Sequence, residues 1–104
     1  MDKVKSSIKI DYQGRHAMTL RGQVFSNADA KLRYRLAVER RNNGNRASMQ
    51  QSGQLIIKSG ETLATSTMST NFEKGDQWNI ILTVYDEANN QLDQVICKSL
   101  DKCR

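Results

Sequence analysis

Apolar and polar residues alternate with a period of two along almost the whole chain. That pattern admits strands with one buried face and leaves little room for helices. Ile8, Ile10 and Tyr12 alternate with Lys9 and Asp11, and Met18, Leu20 and Val24 follow after a Gln13-Gly14 turn. Gly22 stands where a bulge is expected. The cleanest run sets Leu32, Tyr34, Leu36 and Val38 against Arg33, Arg35, Ala37 and Glu39. Asn42-Asn43-Gly44-Asn45 then reads as a hairpin turn, because Asn and Gly accept the positive φ it requires. Beyond it Ala47, Met49, Gln51, Gly53, Leu55 and Ile57 share one parity, and Arg46, Ser48, Gln50, Ser52, Gln54 and Lys58 share the other.

After Ser59-Gly60, a hydroxyl-rich stretch from Glu61 to about Thr70 is expected to form one strand with a wetted face. Lys74-Gly75-Asp76 leads into Trp78, Ile80, Leu82 and Val84; Ala88-Asn89-Asn90 turns into a last strand carrying Leu92, Val95 and Cys97. Seven strands and no convincing helix in 104 residues predict an all-β, seven-stranded immunoglobulin-like antiparallel sandwich, one domain spanning 1–104. A small OB-like barrel is the alternative architecture. No apolar run approaches the length of a membrane helix, so no membrane insertion is expected.

The chain has 16 Lys and Arg against 11 Asp and Glu, a net charge of +5. The excess is local. Lys31, Arg33, Arg35, Arg40, Arg41 and Arg46 are opposed only by Glu39, while the stretch from Ser59 onward is acidic. A positive patch on an otherwise balanced body steers acidic partners; the plainer reading is a solvated strand face that keeps the protein in solution.

Cys97 and Cys103 form neither a zinc site nor a C-x-x-C motif, and their spacing fits a small tail disulfide or two free thiols equally. The first residues lack the apolar segment of a signal peptide, which leaves a cytosolic protein or one whose leader has been removed.

Catalysis finds no foothold. His16 is the single histidine, no G-x-S-x-G elbow or phosphate-binding glycine loop is present, and the carboxylates scatter over turns. The expectation is a non-enzyme with no catalytic residue, metal or cofactor. A basic β-domain that binds single-stranded nucleic acid is a competing class. Such binders stack bases on exposed rings, however, and Tyr12, Phe25, Tyr34, Phe72, Trp78 and Tyr85 all lie outside the basic run or read as core. If the strands flanking Gly44 pair, Arg33, Arg35 and Arg46 share a side with Ser48, Gln50 and Ser52. Guanidinium forks and amides on one surface suit an extended, polar, mildly acidic chain.

The run Tyr34-x-Leu36-x-Val38-Glu39-Arg40, then Gly44, Ser48-x-x-Gln51-Ser52-Gly53, Gly60-Glu61-x-Leu63, Gly75-Asp76-x-Trp78 and Leu82-Thr83-Val84-Tyr85-Asp86 covers about half the chain. It resembles the curli assembly chaperones of the CsgC/CsgH type, closest to the CsgH branch. The resemblance implies a periplasmic immunoglobulin-like domain, its leader removed, that keeps a secreted curli subunit from forming amyloid. It implies no nucleotide or other cofactor. The C-x-C pair of the CsgC branch is missing, so no redox role is carried over.

On this reading Arg33, Arg35, Arg40, Arg41 and Arg46 attract the client, an unfolded Asn/Gln-rich subunit. Ser48, Gln50, Gln51 and Ser52 hydrogen-bond to it, and the protein acts as a monomer. A pilus or adhesin accessory module, pairing through a sheet edge, is the remaining alternative.

Overall fold

Each alternating run becomes a strand. The structure, a computed structural model, describes residues 3–100 and 102–103. Met1, Asp2, Asp101 and Arg104, and with them the chain start on which the expected leader bears, lie outside the described residues. In chain order the strands are β1 (Val4–Tyr12), β2 (Ala17–Ser26), β3 (Ala30–Asn42), β4 (Asn45–Ile57), β5 (Thr62–Ala64), β6 (Met68–Asn71), β7 (Gln77–Tyr85), β8 (Gln91–Ser99) and β9 (Lys102–Cys103).

They form two antiparallel sheets. In one, β2 pairs with β1 along one edge and with β5 and β6 along the other. In the other, the order is β4-β3-β7-β8-β9. The inward parity of both sheets supplies one core, in which Met18, Leu20, Leu32, Leu36, Ile80 and Leu82 are buried. Tyr34 and Trp78 belong to this core, as their parity requires. Two stacked sheets, rather than a single closed one, replace the barrel alternative.

Among the described residues nine strands stand where seven were expected: the hydroxyl-rich run does not stay in one ladder but splits into β5 and β6, and the short β9 follows the last expected strand. It breaks at Thr65, which is buried rather than wetted. Thr65 N–H donates to the Gly22 carbonyl at 2.9 Å, and its Oγ1 accepts from Gly22 N–H at 2.8 Å. A buried hydroxyl needs such partners, and this one takes backbone groups that a continuous ladder would have used. β5 and β6 are left on either side, against opposite ends of β2.

Gly22 is not a bulge, since the β1–β2 register runs unbroken through it. It serves a close approach between the sheets: a Cβ there would lie 2.7 Å from Leu82 Cδ2 and 3.0 Å from Thr65 Cγ2. Gly22→Ala is therefore expected to cost about 2 kcal/mol by overpacking, a drop in Tm of roughly 10 °C in a domain this size. Thermal unfolding followed by circular dichroism checks this.

Cys97 and Cys103 are joined by a disulfide that pins β9 onto β8, with Cys97 fully buried. Of the two states the spacing allowed, the structure has the bonded one.

Candidate functional site

The β3–β4 hairpin carries the basic run, and its tip is set by two residues. Asn43 (φ 49°) and Gly44 (φ 81°) both take positive φ, as a two-residue type I′ turn demands. That turn fixes a register in which Asn42 faces Asn45 and the pairing continues without a shift to Ala30 facing Ile57. Because side chains alternate between faces, this register decides which predicted residues meet.

On the solvent face, Arg33 lies opposite Gln54, Arg35 opposite Ser52, Ala37 opposite Gln50, Glu39 opposite Ser48 and Arg41 opposite Arg46. Seven of the nine predicted residues, Arg33, Arg35, Arg41, Arg46, Ser48, Gln50 and Ser52, thus share one surface. All seven are exposed.

The charge on this surface is unevenly compensated. Arg41 and Arg46 face each other, a like-charge pair that costs stability unless something intervenes. Glu39 intervenes: its Oε1 accepts from Arg41 Nε and its Oε2 from Arg46 Nη2, each at 2.8 Å. Arg33 and Arg35 instead donate to neutral amides, Asn89 Oδ1 at 3.4 Å and Gln50 Oε1 at 3.1 Å. Neither has an ion-pair partner among the described residues. Among the described residues Arg33, Arg35 and the exposed Lys31 of the same parity carry charge that no ion pair offsets.

Arg40 and Gln51 are not brought to this surface. Both stand on the inward parity of their strands. The Arg40 guanidinium sits 5.8 Å from the centre of the Trp78 ring, and its Nε donates to Asp76 Oδ2 at 2.8 Å. Asp76 also accepts from Asn42 Nδ2 at 2.5 Å and from Glu73 N–H at 2.7 Å. Burial pushes the Asp76 carboxyl up, but these hydrogen bonds and the Arg40 charge outweigh it and hold the group below the ordinary carboxylate value. This cluster closes the end of the core beneath the hairpin. Gln51 points toward the sheet of β1, β2, β5 and β6, where its Nε2 lies 3.5 Å from the Thr67 carbonyl oxygen. Strand parity in the sequence separates Gln51 from Ser52 and Arg40 from Arg41, and is the signal that distinguishes them.

Topology adds residues that the linear reading missed. β7 lies on the far side of β3 and brings Tyr85 opposite Arg33, Thr83 opposite Arg35 and Asn79 opposite Glu39. From β8, Gln94 Nε2 donates to Thr83 Oγ1 at 3.1 Å. An aromatic ring therefore does border the basic run, although Tyr85 is only partly exposed. Nothing in the local sequence marks β7 as the neighbour of β3.

Gly53 explains the glycine in the Gln51-Ser52-Gly53 element. Tyr34 crosses it on the inward side, and a Cβ at Gly53 would fall 2.7 Å from the Tyr34 hydroxyl oxygen and 2.8 Å from both Cε1 and Cζ. The same hydroxyl accepts from Ser66 N–H at 3.2 Å and lies 3.1 Å from Ser66 Oγ. Tyr34 thereby ties the β5–β6 connection to the sheet that carries the basic face.

No group of three or more His, Cys, Asp or Glu side chains among the described residues is placed to hold a metal ion. Among the described residues no helix is long and apolar enough to cross a membrane. The geometry defines a β-sandwich whose one sheet presents an exposed, amide- and guanidinium-bearing surface. Rows of exposed guanidinium and amide groups can pair with carboxylates and amides.

No protein-family model matches the sequence, and neither does any curated protein. Solved structures do match the fold. CsgH of R. palustris superposes with a TM-score of 0.71 at 17% identity, covering 91% of this chain and 91% of that one. The E. coli curli protein CsgC gives 0.69 at 19% identity, covering 90% and 97%. The putative ApaA protein of Bordetella pertussis gives 0.59 at 8% identity, covering 97% of both chains. The chain thus has the fold of CsgH and CsgC, the family its Tyr34-to-Asp86 segment resembles.

Proposed function

We propose that this protein is a curli-related, periplasmic chaperone with an immunoglobulin-like domain spanning 1–104, and that it slows amyloid formation by a secreted curli-type subunit. The observation that carries the reading is the convergence of Arg33, Arg35, Arg41 and Arg46 with Ser48, Gln50 and Ser52 on one exposed surface whose hairpin strands carry a single acidic residue, Glu39. The shared fold with CsgH and CsgC supports the same assignment. The Cys97–Cys103 disulfide fits an oxidising compartment.

The mechanism follows from the weakness of exposed charges. Each guanidinium contributes only a few tenths to about 1 kcal/mol to a carboxylate in water, so no single contact holds the client. Several in a row, beside amides that match an Asn/Gln-rich backbone, raise the encounter rate and give short-lived capture. Transient capture is sufficient. Cross-β growth begins when extended segments stack in register, and a monomer briefly held on another surface is withdrawn from that step. No nucleotide or other cofactor enters, and the protein works as a monomer.

The test replaces Arg33, Arg35 and Arg46 together by Gln and confirms the fold by circular dichroism. The lag of curli-type subunit polymerisation is then followed at sub-stoichiometric dose. The wild type prolongs the lag, and the triple variant loses most of that effect. An unchanged lag would remove the arginines from the mechanism.

A further inference from the structure

Among the described strands, the edges of the two sheets are protected everywhere but one. β1 presents Lys5 and Lys9 on its exposed parity, and lysine on an edge strand discourages another strand from pairing. β5 and β6 span only 3 and 4 residues. At the far end of the second sheet, β9 is tied down by the disulfide. β4 has none of these defences. It runs 13 residues without a register shift, contains no Lys or Pro, and carries Arg46 as its one charge.

The turn reports which backbone groups β4 leaves free. A two-residue I′ loop closes with a hydrogen-bonded pair, here Asn42 and Asn45, and such pairs then recur at every second position. Ala47, Met49, Gln51 and Gly53 therefore face β3 with their backbone groups. Arg46, Ser48, Gln50 and Ser52 turn their N–H and C=O outward. Among the described residues no other strand pairs with β4, and no loop backbone bonds to that edge between Arg46 and Ile56. Beside it, the Gln51 Oε1 atom is buried with no hydrogen-bond partner.

We infer that β4 captures an extended client segment by strand addition, with Ser48, Gln50 and Ser52 pairing to its backbone while the arginines of β3 and β4 meet its side chains. This rests on the proposed chaperone reading and specifies how that surface holds its partner. The free backbone groups and the Ser and Gln side chains stand on the same residues, so one segment engages both. Charge chooses the occupant. Two copies joined through β4 would merge two arginine arrays into one continuous face, whereas a segment bearing carboxylates beside amides compensates Arg33 and Arg35.

The experiment uses the 15N-labelled protein and a proline-free synthetic peptide of Asn, Gln and Ser with aspartates at alternate positions. Strand addition slows hydrogen exchange at the N–H groups of Ser48, Gln50 and Ser52 when peptide is added. Gln50→Pro, which removes an outward donor without breaking a bond to β3, weakens peptide binding about tenfold. Gln50→Ala, which keeps the donor, weakens it less.

Peptide binding with unaltered exchange at those three amides overturns strand addition and leaves the charged face standing. Absence of any binding overturns both readings. Slowed exchange that grows with protein concentration alone, without peptide, identifies a second copy as the occupant and overturns the choice of client.

Discussion

Asp76→Ala is expected to destabilise the domain by about 3 kcal/mol and to lower Tm by more than ~10 °C. The Asp76 side chain is almost wholly inaccessible, at 1% exposure, and receives three donors. Its removal leaves the Arg40 guanidinium, the Asn42 amide and the Glu73 N–H without their acceptor. An orphaned donor costs more than the lost bond was worth, and a charged one costs most. Because the folded carboxyl titrates below its ordinary value, its contribution is complete above the unfolded-state value of about 3.9 and is lost as pH falls through the folded one. Urea unfolding should therefore show a wide gap between wild type and variant at neutral pH. The gap should narrow in acid as Asp76 is protonated in the wild type.

Gly53→Val is the second large effect, expected to cost about 3 kcal/mol. Three Tyr34 atoms would lie under 3.0 Å from the first added carbon. Tyr34 is held in the core and at Ser66, so its ring has no easy retreat. A diagnostic double variant separates this from a general dislike of valine on β4. Tyr34→Ala destabilises alone, but adding Gly53→Val to it costs far less than in the wild type, because the clash is gone. Additive penalties would contradict the contact.

The face most of interest lies on the other side of the same strands. Removing Gly53 or Asp76 disturbs the support of the hairpin, whereas removing Arg33 or Arg35 leaves that support intact. A screen that scores only client inhibition would confuse these two kinds of loss. Stability must be measured beside it, since 1–2 kcal/mol alone alters the population of folded protein.

Alternation in the sequence was enough to place Leu32, Tyr34, Leu36 and Val38 inside, and Asn43-Gly44 was enough to pair β3 with β4 in register. Those are local signals, with a period and a turn chemistry that depend on a few neighbouring residues. The same period puts Arg40 and Gln51 inward, whereas charge and amide character alone group them with the client-binding residues. A cation beside the core is stable only with a partner such as Asp76, more than 30 positions away, and no local pattern announces that pairing. The break at Thr65 was hidden for a related reason. A threonine in an extended run looks alike whether its hydroxyl meets water or the backbone of Gly22. The apposition of β7 to β3, which sets Tyr85 beside Arg33 and the buried Thr83 beside Arg35, is a matter of chain crossing rather than of composition.

The most direct measurement maps backbone amide shifts of the labelled protein during titration with an unfolded curli-type subunit. If the outward parity of the Gly44 hairpin does the capturing, perturbations gather at Arg33, Arg35, Ser48, Gln50 and Ser52 and fade as salt is raised. The outer surface of the opposite sheet, at Lys5, Lys9, Gln23 and Ser69, stays silent. Shifts centred on that opposite surface, or a map indifferent to salt, would contradict it.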